Sequence, residues 1–165
     1  MPRRVFYSFH YEVDCHRAAR IRNMGVVEGN TPATGNGWET ITRGGDKRIQ
    51  RWIDAQLYGK SCTVVLIGEE TANRKWINYE IEASWNAGKG LVGIHIHKLK
   101  NLQREISRKG RNPFDSFNIG GSSKRLSSIV PVYNPPYTDS KDVYAHIKEN
   151  LADWIEEAIE IRADY

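Results

Sequence analysis

Three uninterrupted apolar runs constrain this chain more than any other feature: Thr63-Val64-Val65-Leu66-Ile67, Leu91-Val92-Gly93-Ile94-His95-Ile96 and Ile129-Val130-Pro131-Val132-Tyr133. A strand with one face in water alternates apolar and polar residues. Runs without that alternation suit strands covered on both faces, as in parallel sheets flanked by helices. Val5-Phe6-Tyr7-Ser8-Phe9, β-branched and aromatic, reads as a first strand, and Val26-Val27 as a short second one. Helical segments fall between them. Glu12 to Met24 has helical composition, and Gly44-Gly45-Asp46 opens a helix whose Ile49, Trp52, Ile53, Gln56 and Leu57 keep helical spacing. A third helix is expected from Glu70 to Ala87, closed by Gly88 and Gly90, and a last one from Asp139 to Ile161. Strands alternating with helices imply a parallel sheet with right-handed crossovers. The expected class is therefore α/β, a flavodoxin-like three-layer domain with five parallel strands in the order 2-1-3-4-5. Ligands of such sheets lie beyond the carboxyl ends of the strands, beside strand 1. The loop after strand 1 and the start of the helix after strand 3 are the places to look.

Bulk properties narrow the function classes. A chain of 165 residues suits one domain, here residues 1–165. No apolar run approaches the roughly 18–20 residues that a membrane span needs, and Met1-Pro2-Arg3-Arg4 leads straight into a strand without a signal-peptide pattern. Cys15 and Cys62 stand in no metal-like or redox-like spacing, so a reduced cytoplasmic setting is expected. Lys and Arg number 24 against 20 Asp and Glu. The densest basic stretch, Lys98 to Arg111, lacks interleaved aromatics and reads as a solvated loop, so nucleic acid is not an expected partner. Gly29 to Gly37 is a loop by its turn chemistry, and the polar stretch Lys98 to Ser128 reads as a functional or mobile loop.

The helix after strand 3 has three distinct faces. With Ile81 as origin and about 100° per residue, Ile77, Ser84, Trp85 and Gly88 fall within about 60° and should dock on the sheet. Lys75, Asn78, Glu82, Asn86 and Lys89 form a polar flank that belongs to solvent. The other flank holds Asn73, Trp76, Glu80 and Ala87, placing a carboxylate one turn after a tryptophan and half turned to the core. Spacing alone separates Glu80 from Glu82 without assigning catalysis; a surface ion pair accounts for it equally. Ser8 and His10, at the mouth of strand 1, can orient a phosphate or ribose or simply serve the turn. His95 and His97 are expected on opposite sides of strand 4, without a local metal pair and with His97 nearer the site.

At this point the residues become recognisable. The run from Cys62 to Ser84, CTVVLIGEETANRKWINYEIEAS, resembles the strand-plus-helix segment of the TIR-like proteins of the bacterial Thoeris anti-phage defence system. The opening from Arg4 to Tyr11, the segment Gly93 to His97, the pair Trp38-Glu39 and the Asn112-Pro113-Phe114-Asp115 stretch resemble the same family. These pieces lie in order over about residues 3–115, whereas the loop Gly25 to Gly37 and the C-terminal third depart from the pattern. The resemblance implies a TIR fold and a role in antiviral immunity. It implies an enzyme of NAD+ nucleosidase or ADP-ribosyl cyclase type, with NAD+ as substrate and no other cofactor. It also implies a cyclic ADP-ribose-type signal for a separate effector and a phage-derived trigger, and it allows self-association. The catalytic glutamate of NAD-cleaving TIR domains lies on the helix after strand 3, about four residues beyond a Trp-like position, which here is Glu80.

Cleaving the nicotinamide–ribose bond develops oxocarbenium-like charge on the ribose, which a fixed carboxylate stabilises. Nicotinamide is already a good leaving group, and the sequence shows no ligand cluster, so no metal is expected. Phe9, Tyr11, Trp38 and Trp76 are the expected aromatic walls that stack a base and exclude water. A TIR-like interaction module that signals by self-association, without catalysis, is the alternative from another class. A phosphoacceptor receiver domain would need an acidic pair after strand 1 and an Asp ending strand 3, where this chain has Ser8-Phe9-His10 and Ile67-Gly68.

Overall fold

The computed structural model describes residues 3–29, 41–120 and 122–165. Five parallel strands form its sheet: β1 (Arg4–Ser8), β2 (Glu28–Gly29), β3 (Cys62–Ile67), β4 (Gly90–His95) and β5 (Val132–Tyr133), in the order β2-β1-β3-β4-β5. The expected order 2-1-3-4-5 is the observed one. Among the described residues, the helices that cover the sheet include α1 (Tyr11–Arg22), α2 (Asp46–Leu57), α3 (Lys75–Asn86) and α4 (Ser140–Ala163).

Each strand sends alternate residues to opposite layers. Cys62, Val64 and Leu66 of β3 join Val92 and Ile94 of β4 under α1 and α4, where Ala18, Ile21, Ile147, Leu151 and Ile155 complete a core. Val65 and Ile67 face the other way, with Ile77 and Ile81 of α3 and Phe114. Beside them Phe6 of β1 packs on Ile49, Ile53 and Leu57 of α2. Both faces are thus apolar, which is why the central strands lack polar alternation.

The differences from expectation lie at element ends. The second strand is Glu28–Gly29, not Val26-Val27; Val27 is instead buried in the core. β5 is only Val132–Tyr133, since Leu126–Ser128 is a short 3-10 turn and Pro131 has no amide for the ladder. α3 starts at Lys75 rather than at Glu70, because Thr71 folds back to accept from the Gly68 amide at 2.8 Å and Asn73 adopts a left-handed φ of 65°. The stretch 98–128 is anchored by the buried side chains of Leu99, Phe114 and Leu126. None of the described helices is long and apolar enough to cross a membrane.

At the carboxyl ends of β1 and β3, three loops approach closely. A Cβ on Gly68 would stand 2.0 Å from Asp14 Oδ2, and one on Gly110 would stand 2.0 Å from the Gly68 carbonyl oxygen. The start of α1, the turn after β3 and the segment near Gly110 therefore interlock at the edge where the topology locates a ligand.

Candidate functional site

A cleft of about 350 Å³ opens where β1 and β3 end. Phe9, His10, Tyr11 and Glu12 line it from the loop into α1, and Glu70, Ala72, Asn73, Arg74, Lys75, Trp76, Ile77 and Glu80 line it from the other side. Of the side chains expected from sequence, Phe9, His10, Tyr11, Trp76 and Glu80 are brought together around this space. Ser8 ends β1 and is fully buried. Trp38, the remaining expected contact, lies outside the described residues, as do the Trp38-Glu39 pair and most of the Gly29 to Gly37 loop.

Glu80 is positioned by the packing of α3. Ser84 Oγ lies 2.6 Å from the Glu80 carbonyl, to which it donates, and 2.7 Å from Thr63 Oγ1 on β3. This link, with Ile77 and Ile81 buried against the sheet, fixes the rotation of the helix and turns Glu80 inward. Its side chain is only 7% exposed. Burial pushes its carboxyl up to about 8, and the facing Ser8 hydroxyl offsets part of that rise. Yet neither Ser8 Oγ nor Glu80 Oε2 completes a hydrogen bond of ordinary geometry. A buried carboxyl with an open oxygen, on the wall of a cleft, is costly to maintain unless a ligand completes it. Glu82, on the opposite flank, is exposed.

His10 occupies the N-cap position of α1 in extended conformation but does not cap it. Its ring is 8% exposed, and neither Nδ1 nor Nε2 has a hydrogen-bond partner. Burial, helped by nearby Arg74, lowers its pKa, so it is a neutral imidazole at pH 7. Phe9 and Tyr11 hold their rings 6.3 Å apart at 32°. On the facing wall Trp76 meets Tyr79 edge-on at 5.8 Å, and Lys75 Nζ sits 4.9 Å from the Trp76 ring centre. Aromatic surfaces thus stand on both sides of a polar floor, a geometry suited to a flat base and a ribose.

Sequence reasoning missed several contributors. Arg74 and Lys75 enter the cleft beside Asn73, which helical spacing already groups with Glu80, because the helix begins five residues later than its composition suggests. Asp14 and Arg17, an ion pair at 2.9 Å buried behind the His10 loop, look like solvent-facing helix residues in the sequence. Their i, i+3 spacing was the only available signal. The expectation for His95 and His97 is corrected: positions two apart share a side in extended backbone, and the two rings meet edge-to-face at 5.8 Å. Both are buried, and neither lines the cleft. Burial lowers both, His95 to about 4, with Lys109 adding to the effect on each. Among the described residues, no group of three or more His, Cys, Asp or Glu side chains could hold a metal ion.

Comparison with known proteins bears on the same segment. Residues 6–101, which run from within β1 through β4 and include every residue lining the cleft, match the family model described as Thoeris protein ThsB, TIR-like domain. Over 128 residues the chain is 41% identical to a protein of Bacillus cereus (strain MSX-D12) named "Putative cyclic ADP-D-ribose synthase ThsB1"; the match covers 74% of this chain and 67% of that protein.

Proposed function

Because the chain belongs to the Thoeris ThsB family of TIR-like domains, we propose that it cleaves NAD+ at the nicotinamide–ribose bond with Glu80 as the catalytic carboxylate. It converts the ADP-ribose portion into a cyclic signal that a separate effector reads. The observation that carries this reading is the buried Glu80 carboxyl, one oxygen unpartnered, on the wall of an aromatic-sided cleft. The curated relative's name points to the same product class.

Breaking the bond sends its electron pair to the nicotinamide nitrogen, which leaves neutral, while positive charge develops on the ribose. Glu80 hydrogen-bonds the ribose hydroxyls, and its negative charge stabilises the oxocarbenium-like centre as it forms. In the empty site burial favours the protonated acid. A cationic pyridinium and two ribose hydroxyls favour the carboxylate, so substrate binding draws the proton off Glu80. A nucleophile from the substrate's own adenine then captures the ribose and sheds a proton. Phe9, Tyr11 and Trp76 favour that outcome by stacking the base and keeping water from giving linear ADP-ribose. Trp38 belongs to the same proposal as a further aromatic contact.

Mass spectrometry of NAD+ incubated with concentrated protein tests this. Wild type should release nicotinamide and a cyclic ADP-ribose isomer, and Glu80→Gln, folded by circular dichroism, should do neither. Undiminished turnover in Glu80→Gln would remove Glu80 from the mechanism. Self-association of a wild type that leaves NAD+ intact would favour the non-catalytic interaction module.

A further inference from the structure

Helix α3 begins against the usual electrostatics. The amino end of a helix carries partial positive charge and open N–H groups, and sequences ordinarily place an Asp, Ser, Thr or Asn cap or an acidic first turn there. α4 follows that rule, with Asp139 accepting from the Lys141 amide at 2.8 Å. α3 does the opposite. Its N-cap is Arg74, no side chain caps it, its first turn has no acid, and Lys75 follows at once. Lys75 is neutralised by Asp46. The Arg74 carbonyl accepts from the Asn78 amide, but its guanidinium has no ion-pair or hydrogen-bond partner among the described residues.

A second, independent feature faces the same space. His10 lines the cleft with Arg74, is more than nine-tenths buried, and offers two ring nitrogens with no partner. A neutral imidazole has one N–H to donate, and burying it unpaired costs free energy unless something accepts that bond. An uncapped helix end, an unpaired guanidinium and a buried unpaired imidazole line one cleft; a phosphate oxygen bound there accepts from the first two, and a turn of the enclosed His10 ring brings its N–H to the same oxygen.

We infer that the N-terminus of α3, with Arg74 and His10, is the seat of the substrate's diphosphate. This subsite rests on the NAD+ reading of the cleft and deepens it. The diphosphate lies within one to two helical turns of Glu80, so anchoring it there leaves the nicotinamide-bearing ribose to reach the carboxyl. Glu12 and Glu70 on the same rim keep the cleft from being a general anion sink, so recognition depends on the helix amides and the Arg74 guanidinium together.

The test is an NMR titration of Glu80→Gln protein, which should not turn substrate over, following the backbone amides of Lys75, Trp76 and Ile77. ADP-ribose carries the diphosphate and nicotinamide riboside does not. ADP-ribose should shift these amides strongly, and nicotinamide riboside should leave them nearly unmoved. Arg74→Ala should weaken ADP-ribose about tenfold, the size expected for one charge-assisted contact, and change nicotinamide riboside less than twofold. Arg74→Asp installs an ordinary cap. It should raise Tm by roughly 2–4 °C while abolishing ADP-ribose binding, which separates lost binding from lost folding. Unchanged ADP-ribose affinity in Arg74→Ala, equal weakening of both ligands, or absence of any ADP-ribose shift would overturn the subsite. Glu80-dependent NAD+ turnover alongside Arg74-independent ADP-ribose binding defeats this inference alone. Arg74-dependent binding without turnover supports it and defeats the catalytic reading instead.

Discussion

The Ser8 hydroxyl at the end of β1 faces the Glu80 carboxyl on α3, yet Ser8 Oγ and Glu80 Oε2 both lack a hydrogen-bond partner. Two polar groups are therefore buried in the same place with their bonding capacity open. The fold holds Glu80 inward through Thr63 and Ser84, which are satisfied by each other and by the Glu80 carbonyl. The backbone of this turn is well anchored while its one ionisable side chain is not. That asymmetry has measurable consequences.

Stability should rise when Glu80 is neutralised. A carboxyl raised from 4.5 to about 8 holds its proton in the folded state after the unfolded chain has lost it. Its contribution is therefore lost progressively as pH rises from the unfolded pKa to the folded one. Glu80→Gln should match wild type near pH 4.5 and exceed it by about 1–3 kcal/mol at pH 8, after allowing for the unpaired amide. Urea unfolding at the two pH values measures this. A constant difference between the variants at both pH values would mean that Glu80 ionises freely.

Catalysis should show the same group with the opposite sign. If the carboxylate is the active form, kcat/KM, which reports the free enzyme, should climb about tenfold per pH unit below pH 8 and level off above it. The rise should have a midpoint about 8, where burial puts Glu80. A profile flat from pH 6 to 9 would exclude a protonated resting Glu80. Calorimetry of substrate binding in buffers of differing ionisation enthalpy should register close to one proton released at pH 7.

Much of the architecture was legible because it rests on continuous apolar runs. Thr63 to Ile67 has nowhere to go except between two helical layers, and the alternation of strands and helices left few orders to choose from. Glu80 was legible as a residue apart, since helical spacing put it on the Trp76 flank and away from Glu82. Element ends were not legible, because they are decided by tertiary contacts. Composition from Glu70 onward favours helix, but the Thr71 hydroxyl binds the Gly68 amide and Asn73 turns left-handed to meet Ser116 Oγ at 2.8 Å. Those contacts are distant in sequence, and they create the Arg74 end of the cleft. The burial of Asp14 and Arg17 was equally hidden. The carbonyls that accept from Arg17, those of Leu99 and Glu105, come from more than 80 positions away.

Acid should destabilise the protein through the histidine pair. His95 is held near 4 by burial, by Lys109 and by its contact with His97. A histidine whose folded pKa is depressed stabilises above the unfolded value of about 6.5, and that stability is lost as pH falls toward the folded pKa. From pH 6.5 to 4.5 the loss from His95 is about 2–3 kcal/mol, partly masked in wild type by the opposite slope of Glu80. His95→Gln compared with wild type across this range isolates it: the variant should lose less stability on acidification. Identical acid profiles would show that His95 is accessible to protons in the folded state.

Breaking the Asp14–Arg17 pair should be the most damaging single change near the cleft. Arg17 Nη1 donates to Asp14 Oδ1 at 2.9 Å, Nε to the Leu99 carbonyl at 2.6 Å and Nη2 to the Glu105 carbonyl at 3.0 Å. One side chain thus ties α1 to the segment after β4. Asp14 is fully buried, its Oδ2 already lacks a partner, and burial outweighs Arg17 in setting its pKa, which is raised. Arg17→Met leaves that carboxyl buried without its partner and two carbonyls unpaired, so a loss of about 3–5 kcal/mol is expected. Removing both partners, as in Asp14→Asn with Arg17→Met, should recover part of that loss, because the uncompensated charge goes with it. Chemical denaturation of the two single variants and the double variant closes the cycle. Strict additivity would show that the two side chains do not depend on each other. A recovered double variant that still binds ADP-ribose would show that the pair supports the His10 loop without touching the ligand.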